Sequence, residues 1–243
     1  MLLFPNGESM FSWIAILASV SFMNAHQEER MTKNSSLQTV LRGRLDTFRS
    51  ASLCSPFEHA DFQERENQFL YAWGMDYVCG NGILEKDAHR IPSDEEIDKA
   101  IEYFNSKNLP FMWWSGAQNL DAKGFQFGGI LTGIALDISE NLPSVPAAPE
   151  NLTIRNVESA SEMRQFAELS GDAFAIKAID QWFALNHSIM EKGEQIYFVA
   201  TLDGAFVGTA ALSVSPTSAG IWDLATLPEH RKSGVGTALY QSQ

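Results

Sequence analysis

Residues Arg231-Lys232-Ser233-Gly234-Val235-Gly236-Thr237 have the types and spacing of a phosphate-holding loop. Gly234 and Gly236 allow a sharp turn and a close backbone approach to a ligand. A helix expected to begin at Thr237–Tyr240 would add unpaired N–H groups and the positive end of its dipole. Arg231 and Lys232 place cations at the same edge, in a 243-residue chain whose net charge is -13. The pattern is G-x-G, without the third glycine of a dinucleotide fingerprint or the GK[ST] of a Walker loop. On its chemistry alone the loop predicts a phosphate or diphosphate, and a plain strand-to-helix turn is the bland alternative.

Other reactive residue types form no such pattern. Cys54 and Cys79 lack metal-ligand or C-x-x-C spacing and are expected as free, buried thiols. Histidines 26, 59, 89, 187 and 230 make no HExxH-like cluster, so no metal site is expected. Glu229 and His230 are expected to be exposed turn residues. With 30 acidic and 17 basic residues the chain lacks the basic footprint that nucleic acid or an anionic membrane requires. An acidic field suits cationic ligands such as amines. The 45% hydrophobic and 19% charged content is that of a soluble globular protein.

The elements that must carry the loop follow from pattern. Residues 1–30 include the apolar run FSWIAILASVSFMNA, too short for a span of about 20 apolar residues and without a basic flank before it. They read as an upstream extension outside the fold, giving a cytoplasmic protein, or as an export signal. A first domain is expected over 31–139. In it Ser93 and Glu96 make a capping box, and Ile97, Ala100, Ile101 and Phe104 share one helix face. FMWWSG reads as an aromatic strand and GFQFGGILTGIALDI as a glycine-broken strand pair. The proline-rich 140–151 reads as a linker.

A second domain is expected over 152–243. LTIRNV alternates as a strand, SASEMRQFAEL is a helix capped at Ser159, and a second helix is expected near 178–191. IYFVATLDGAFVGTAALSVS is a hairpin turning at Asp203-Gly204, and AGIWDLATLP is the next strand. Helices packed on a mixed, mostly antiparallel sheet define an α+β fold.

TLPEHRKSGVGTAL resembles motif A of the GCN5-related N-acetyltransferases (GNAT), whose signature is Q/R-x-x-G-x-G/A after the fourth strand. Arg231, Gly234 and Gly236 fill its fixed positions, and the element order from 151 to 243 fits as well. The first half resembles the degenerate GNAT-like half of a bacterial two-domain subgroup; no R-x-x-G-x-G loop occurs in 31–140. The resemblance implies acetyl transfer from acetyl-CoA to the neutral amine of a small molecule or a protein, with no metal. Leu224, Ala225 and Thr226 would present backbone groups to the pantetheine arm. Lys232, Ser233, Gly234, Val235, Gly236 and Thr237 would wrap the pyrophosphate, braced by Arg231. Asp223, the one carboxylate on the fourth strand, is the candidate general base. The sequence given ends inside the third helix of the family pattern, before the fifth strand and the later helix that commonly carries a tyrosine acid. It is therefore expected as a truncated enzyme that binds acetyl-CoA weakly, turns over poorly and exposes the edge of its fourth strand. The alternative is a non-catalytic acetyl-CoA-binding or regulatory GNAT-like module.

Overall fold

A computed structural model describes residues 2–5, 17–21, 33–87, 90–114, 119–129, 133–137, 148–215 and 218–242. The chain forms two compact units that are interleaved in sequence. One comprises residues 1–14 and 48–131, the other 15–47 and 132–243.

In chain order the elements are β1 (Leu2–Pro5), β2 (Leu17–Ser21), α1 (Lys33–Cys54), β3 (Asp61–Glu64), β4 (Gln68–Ala72), β5 (Asn81–Glu85), α2 (Asp94–Ser106), β6 (Met112–Trp114), β7 (Phe125–Gly129) and β8 (Gly133–Asp137). There follow β9 (Leu152–Asn156), α3 (Ala160–Ala173), α4 (Ile179–Glu191), β10 (Ile196–Leu202), β11 (Ala205–Val214), β12 (Ala219–Thr226) and α5 (Val235–Gln241).

The first unit is a six-stranded sheet in the order β3-β4-β5-β6-β1-β7. Period-2 alternation on β4 and β6 divides its side chains between two faces. Leu70, Ala72 and Trp113 join Ile97, Ala100 and Phe104 of α2 in one buried core. Tyr71 and Trp114, on the alternate positions, pack on Phe48 near the end of α1 with ring centroids 4.5 and 5.8 Å apart. The capping box at Ser93 is formed as expected: its hydroxyl accepts from the Glu96 N–H, and the Glu96 carboxylate accepts from the Ser93 N–H.

The second unit is a six-stranded sheet in the order β8-β2-β12-β11-β10-β9. Alternation on β10 again sends side chains to both faces. Tyr197 meets α3 and α4, through an edge-on contact with Phe166 and a 3.0 Å hydrogen bond to Asn186. Phe198 and Ala200 join Val235 and Leu239 of α5 in a separate cluster. The hairpin turns where the sequence placed it, with Asp203 at φ 51° and Gly204 at φ 84°, the two left-handed residues of a tight hairpin turn.

Three expectations differ from the structure. Residues 1–30 do not lie wholly outside the fold, because β1 pairs with β6 and β7 while β2 pairs with β12 and β8. Apolar composition suits a strand as readily as a membrane segment and does not distinguish the two. The strands β7 and β8 are present but do not pair with each other; they belong to different sheets. The fourth strand of the GNAT pattern, β12, is not wholly bare at its outer edge: Ala219, Gly220 and Ile221 pair antiparallel with Val20, Ser19 and Ala18. Most of the proline-rich segment lies outside the described residues.

Candidate functional site

The site is built on the lower half of β12 and the loop that follows. Thr209 faces Ala225 and Ala211 faces Trp222, so β12 holds one residue more than β11 between those pairs. That extra residue makes a β-bulge, a device that bends a strand and re-aims its side chains. Asp223 sits in the bulge at φ 50°, a left-handed conformation that costs a non-glycine residue about 1–2 kcal/mol. Two hydroxyls stabilise it. Thr209 Oγ1 donates to the Asp223 carbonyl at 2.9 Å, and Ser213 Oγ accepts from Trp222 Nε1 at 2.8 Å. Ser213 also meets Thr47 Oγ1 of α1 at 2.9 Å.

Asp223 is half-buried, and desolvation alone pushes its carboxyl up to about 7. A carboxylate so placed exchanges a proton near neutral pH, as a general base must. Among the described residues, the pairing of β2 with β12 runs from Ala219 to Ile221.

Beyond Thr226 the chain makes a single 3-10 turn at Pro228–His230 and enters the glycine loop. Lys232 has φ 63° and Gly234 φ 92°, so the backbone is left-handed twice within three residues. Arg231 Nε donates to the Thr226 carbonyl at 3.1 Å, and Ser233 Oγ donates to the His230 carbonyl. Among the described residues no hydrogen bond takes up the backbone N–H groups of 232–237. The ring of Pro149 covers Gly234: a Cβ there would lie 3.5 and 3.6 Å from two of its carbons. Packing of α5 on the sheet is closer still. A Cβ on Gly208 of β11 would lie 2.8 Å from Leu239 Cδ1 and 2.9 Å from the Ala225 carbonyl oxygen.

Asp223, Leu224, Ala225 and Thr226 lie on β12, Arg231, Lys232, Ser233 and Gly234 form the loop, and Val235, Gly236 and Thr237 are already the first turn of α5, which starts two residues before the expected Thr237. Glu229 is exposed, as expected for a turn, and His230 is half-buried. Thr209, Ser213 and Pro149 were not singled out from the sequence. A bulge can be recognised only once the register of β11 on β12 is known. Among the described residues no group of three or more metal-ligating side chains comes together, and no helix is long and apolar enough to cross a membrane.

Helices on a mostly antiparallel sheet, with a bulge on the fourth strand followed by a glycine loop and helix, make an α+β fold of the acyl-CoA N-acyltransferase (GNAT) type. Residues 160–242 match the acetyltransferase (GNAT) family. A GCN5-related N-acetyltransferase from Kribbella flavida shares the fold at 17% identity and a TM-score of 0.50, covering 83% of this chain and 79% of its own. Its likeness thus extends well beyond 160–242. A predicted acetyltransferase from Clostridium acetobutylicum, solved with acetyl-CoA, is 14% identical and covers 37% of this chain and 70% of its own, with a TM-score of 0.33. An acetyltransferase from Trypanosoma brucei is 25% identical over 37% of this chain and 70% of its own, with a TM-score of 0.32. No curated protein matches the chain.

Proposed function

We propose that the chain is an N-acetyltransferase that takes its acetyl group from acetyl-CoA and delivers it to an amine. The observation that carries this reading is the continuity of β12 with the loop inside the family-matched segment. Among the described residues, the bulged strand leads directly into a run of backbone N–H groups that take no hydrogen bond.

The residues present fit that cosubstrate. Backbone groups of Leu224, Ala225 and Thr226 would bond the pantetheine amides as an added strand does. The N–H groups from Lys232 to Thr237 would take the pyrophosphate oxygens, with the Lys232 ammonium adding charge and Arg231 holding the loop to the end of β12. Acetyl-CoA supplies the activated thioester carbonyl. Asp223 would accept the proton of the incoming ammonium, which requires a base whose affinity lies near the working pH. Freed from the ladder by the bulge, N–H groups of the strand would donate to the carbonyl oxygen as charge develops on it.

The test is a titration of the purified chain with acetyl-CoA, desulfo-CoA and ATP, followed by thiol release from acetyl-CoA in the presence of primary amines. The expected result is saturable binding of the two coenzyme forms, none of ATP, and amine-dependent release of free thiol. Equal binding of ATP would reduce the loop to a generic phosphate site.

A further inference from the structure

The bulge on β12 needs a reason to persist, and the structure supplies one in Thr209. A left-handed non-glycine residue survives only where its surroundings fix it. At Asp223 the bulge takes the carbonyl out of register with Ala210, and the Thr209 hydroxyl accepts the task of pairing it, donating at 2.9 Å. Thr209 is fully buried, at 0% exposure, and its own backbone pairs with Ala225 just below the bulge. A β-branched side chain has a stiff χ1, so the direction of that hydroxyl is set by the strand itself. On the other side of the bulge Trp222 is held by Ser213. Asp223 is thereby clamped between two hydrogen bonds, of which one reaches the residue itself.

We propose that Thr209 is a positioning residue for Asp223: its hydroxyl pins the bulge and so fixes where the Asp223 side chain leaves the strand. This rests on reading Asp223 as the base. Thr209 is fully buried and acts through the backbone of Asp223. Loss of the hydroxyl lets the strand relax toward a regular ladder and moves the carboxylate, while the loop that would bind the coenzyme keeps its own contacts through Arg231 and Pro149.

The experiment compares Thr209→Val, Thr209→Ala and Thr209→Ser with the parent chain and with Asp223→Asn. Steady-state acetyl transfer and amide hydrogen exchange across residues 222–226 are the two readouts. Thr209→Val and Thr209→Ala are expected to lower kcat at least about tenfold with KM for acetyl-CoA within twofold. They should also exchange faster in the bulge, while Thr209→Ser stays within about threefold of the parent on both counts. In an Asp223→Asn background Thr209→Val should add no further loss, because both changes remove one function. If Asp223→Asn is slow and Thr209→Val is not, the inference fails and the base stands. If Asp223→Asn is as fast as the parent, the base reading fails and the role of Thr209 with it. Should Thr209→Val not fold, the Ser and Ala variants differ by the hydroxyl alone, and equal rates and exchange in those two overturn the proposal.

Discussion

Arg231 Nε donates to the carbonyl of Thr226 at 3.1 Å, closing the glycine loop back onto the strand that precedes it. A guanidinium makes this contact from a planar fork, which an ammonium cannot copy. Arg231→Ala is expected to weaken acetyl-CoA binding about tenfold, or about 1.4 kcal/mol, through the lost brace and the lost charge. Arg231→Lys should fall between the two in the same calorimetric titration, since it keeps the charge and loses the fork.

Gly234→Ala separates conformation from space. At φ 92° an alanine is strained, but the nearest atoms to its Cβ would be Pro149 carbons at 3.5 and 3.6 Å, an ordinary contact. The expected cost is therefore that of backbone strain, about 1–2 kcal/mol in urea unfolding, with weaker coenzyme binding. Gly208→Ala should do more damage despite its ordinary backbone. Its Cβ would be forced to within 2.8 Å of Leu239 Cδ1 and 2.9 Å of the Ala225 carbonyl oxygen, so the Leu239 side chain and the β11–β12 ladder must shift. A loss of about 2–3 kcal/mol is expected for that variant, measured in the same way.

Asp223 gives the site a pH signature with a definite sign. Its folded affinity, near 7, lies above the ordinary 3.8, so the protein favours the neutral acid. Its contribution to stability is present in full below pH 3.8 and is lost as pH rises through about 7. The full shift corresponds to about 4 kcal/mol, which partial solvent access reduces to about 2 kcal/mol. Asp223→Asn should thus match the parent near pH 4 and become more stable than it near pH 8, by melting temperature. Activity should run the other way, rising with pH through about 7 in the parent and dropping about 100-fold or more in Asp223→Asn.

The first unit offers an independent test of buried charge. Glu85, wholly enclosed, accepts from Trp113 Nε1 at 2.9 Å and from Arg90 at 2.8 Å, while Arg90 also holds Glu96. Desolvation raises Glu85 despite these partners, whereas Glu96 is drawn down to about 2 by its Ser93 and Arg90 hydrogen bonds. Arg90→Met strands the Glu85 charge and is expected to cost about 3–5 kcal/mol in chemical denaturation. Adding Glu85→Gln should recover a large part of it.

Much of this molecule was legible from local pattern. The Ser93 capping box and the Asp203-Gly204 turn each depend on residues close in sequence, and each appears where its spacing placed it, whereas the helix after the glycine loop starts at Val235, two residues before the expected Thr237. What stayed hidden depends on long-range pairing. The bulge at Asp223 exists only relative to β11, and the partners of β1 and β2 lie far along the chain. β7 and β8 look like neighbours because three residues separate them, yet each is claimed by a different sheet. Period-2 patterns report which face is buried; they carry no address for the partner strand.

The placement of β2 between β8 and β12 has a consequence for synthesis on the ribosome. Ala18 waits for Ile221, about 200 residues later, before their ladder can form, which makes this among the costliest loops in the chain to close. Until then an early apolar segment has no native partner strand on that side, and translation at about 5–20 residues per second leaves it so for about 10–40 seconds. The nascent chain passes through a long interval in which chaperone binding competes with misassembly, and the emergence of β12 is what ends it.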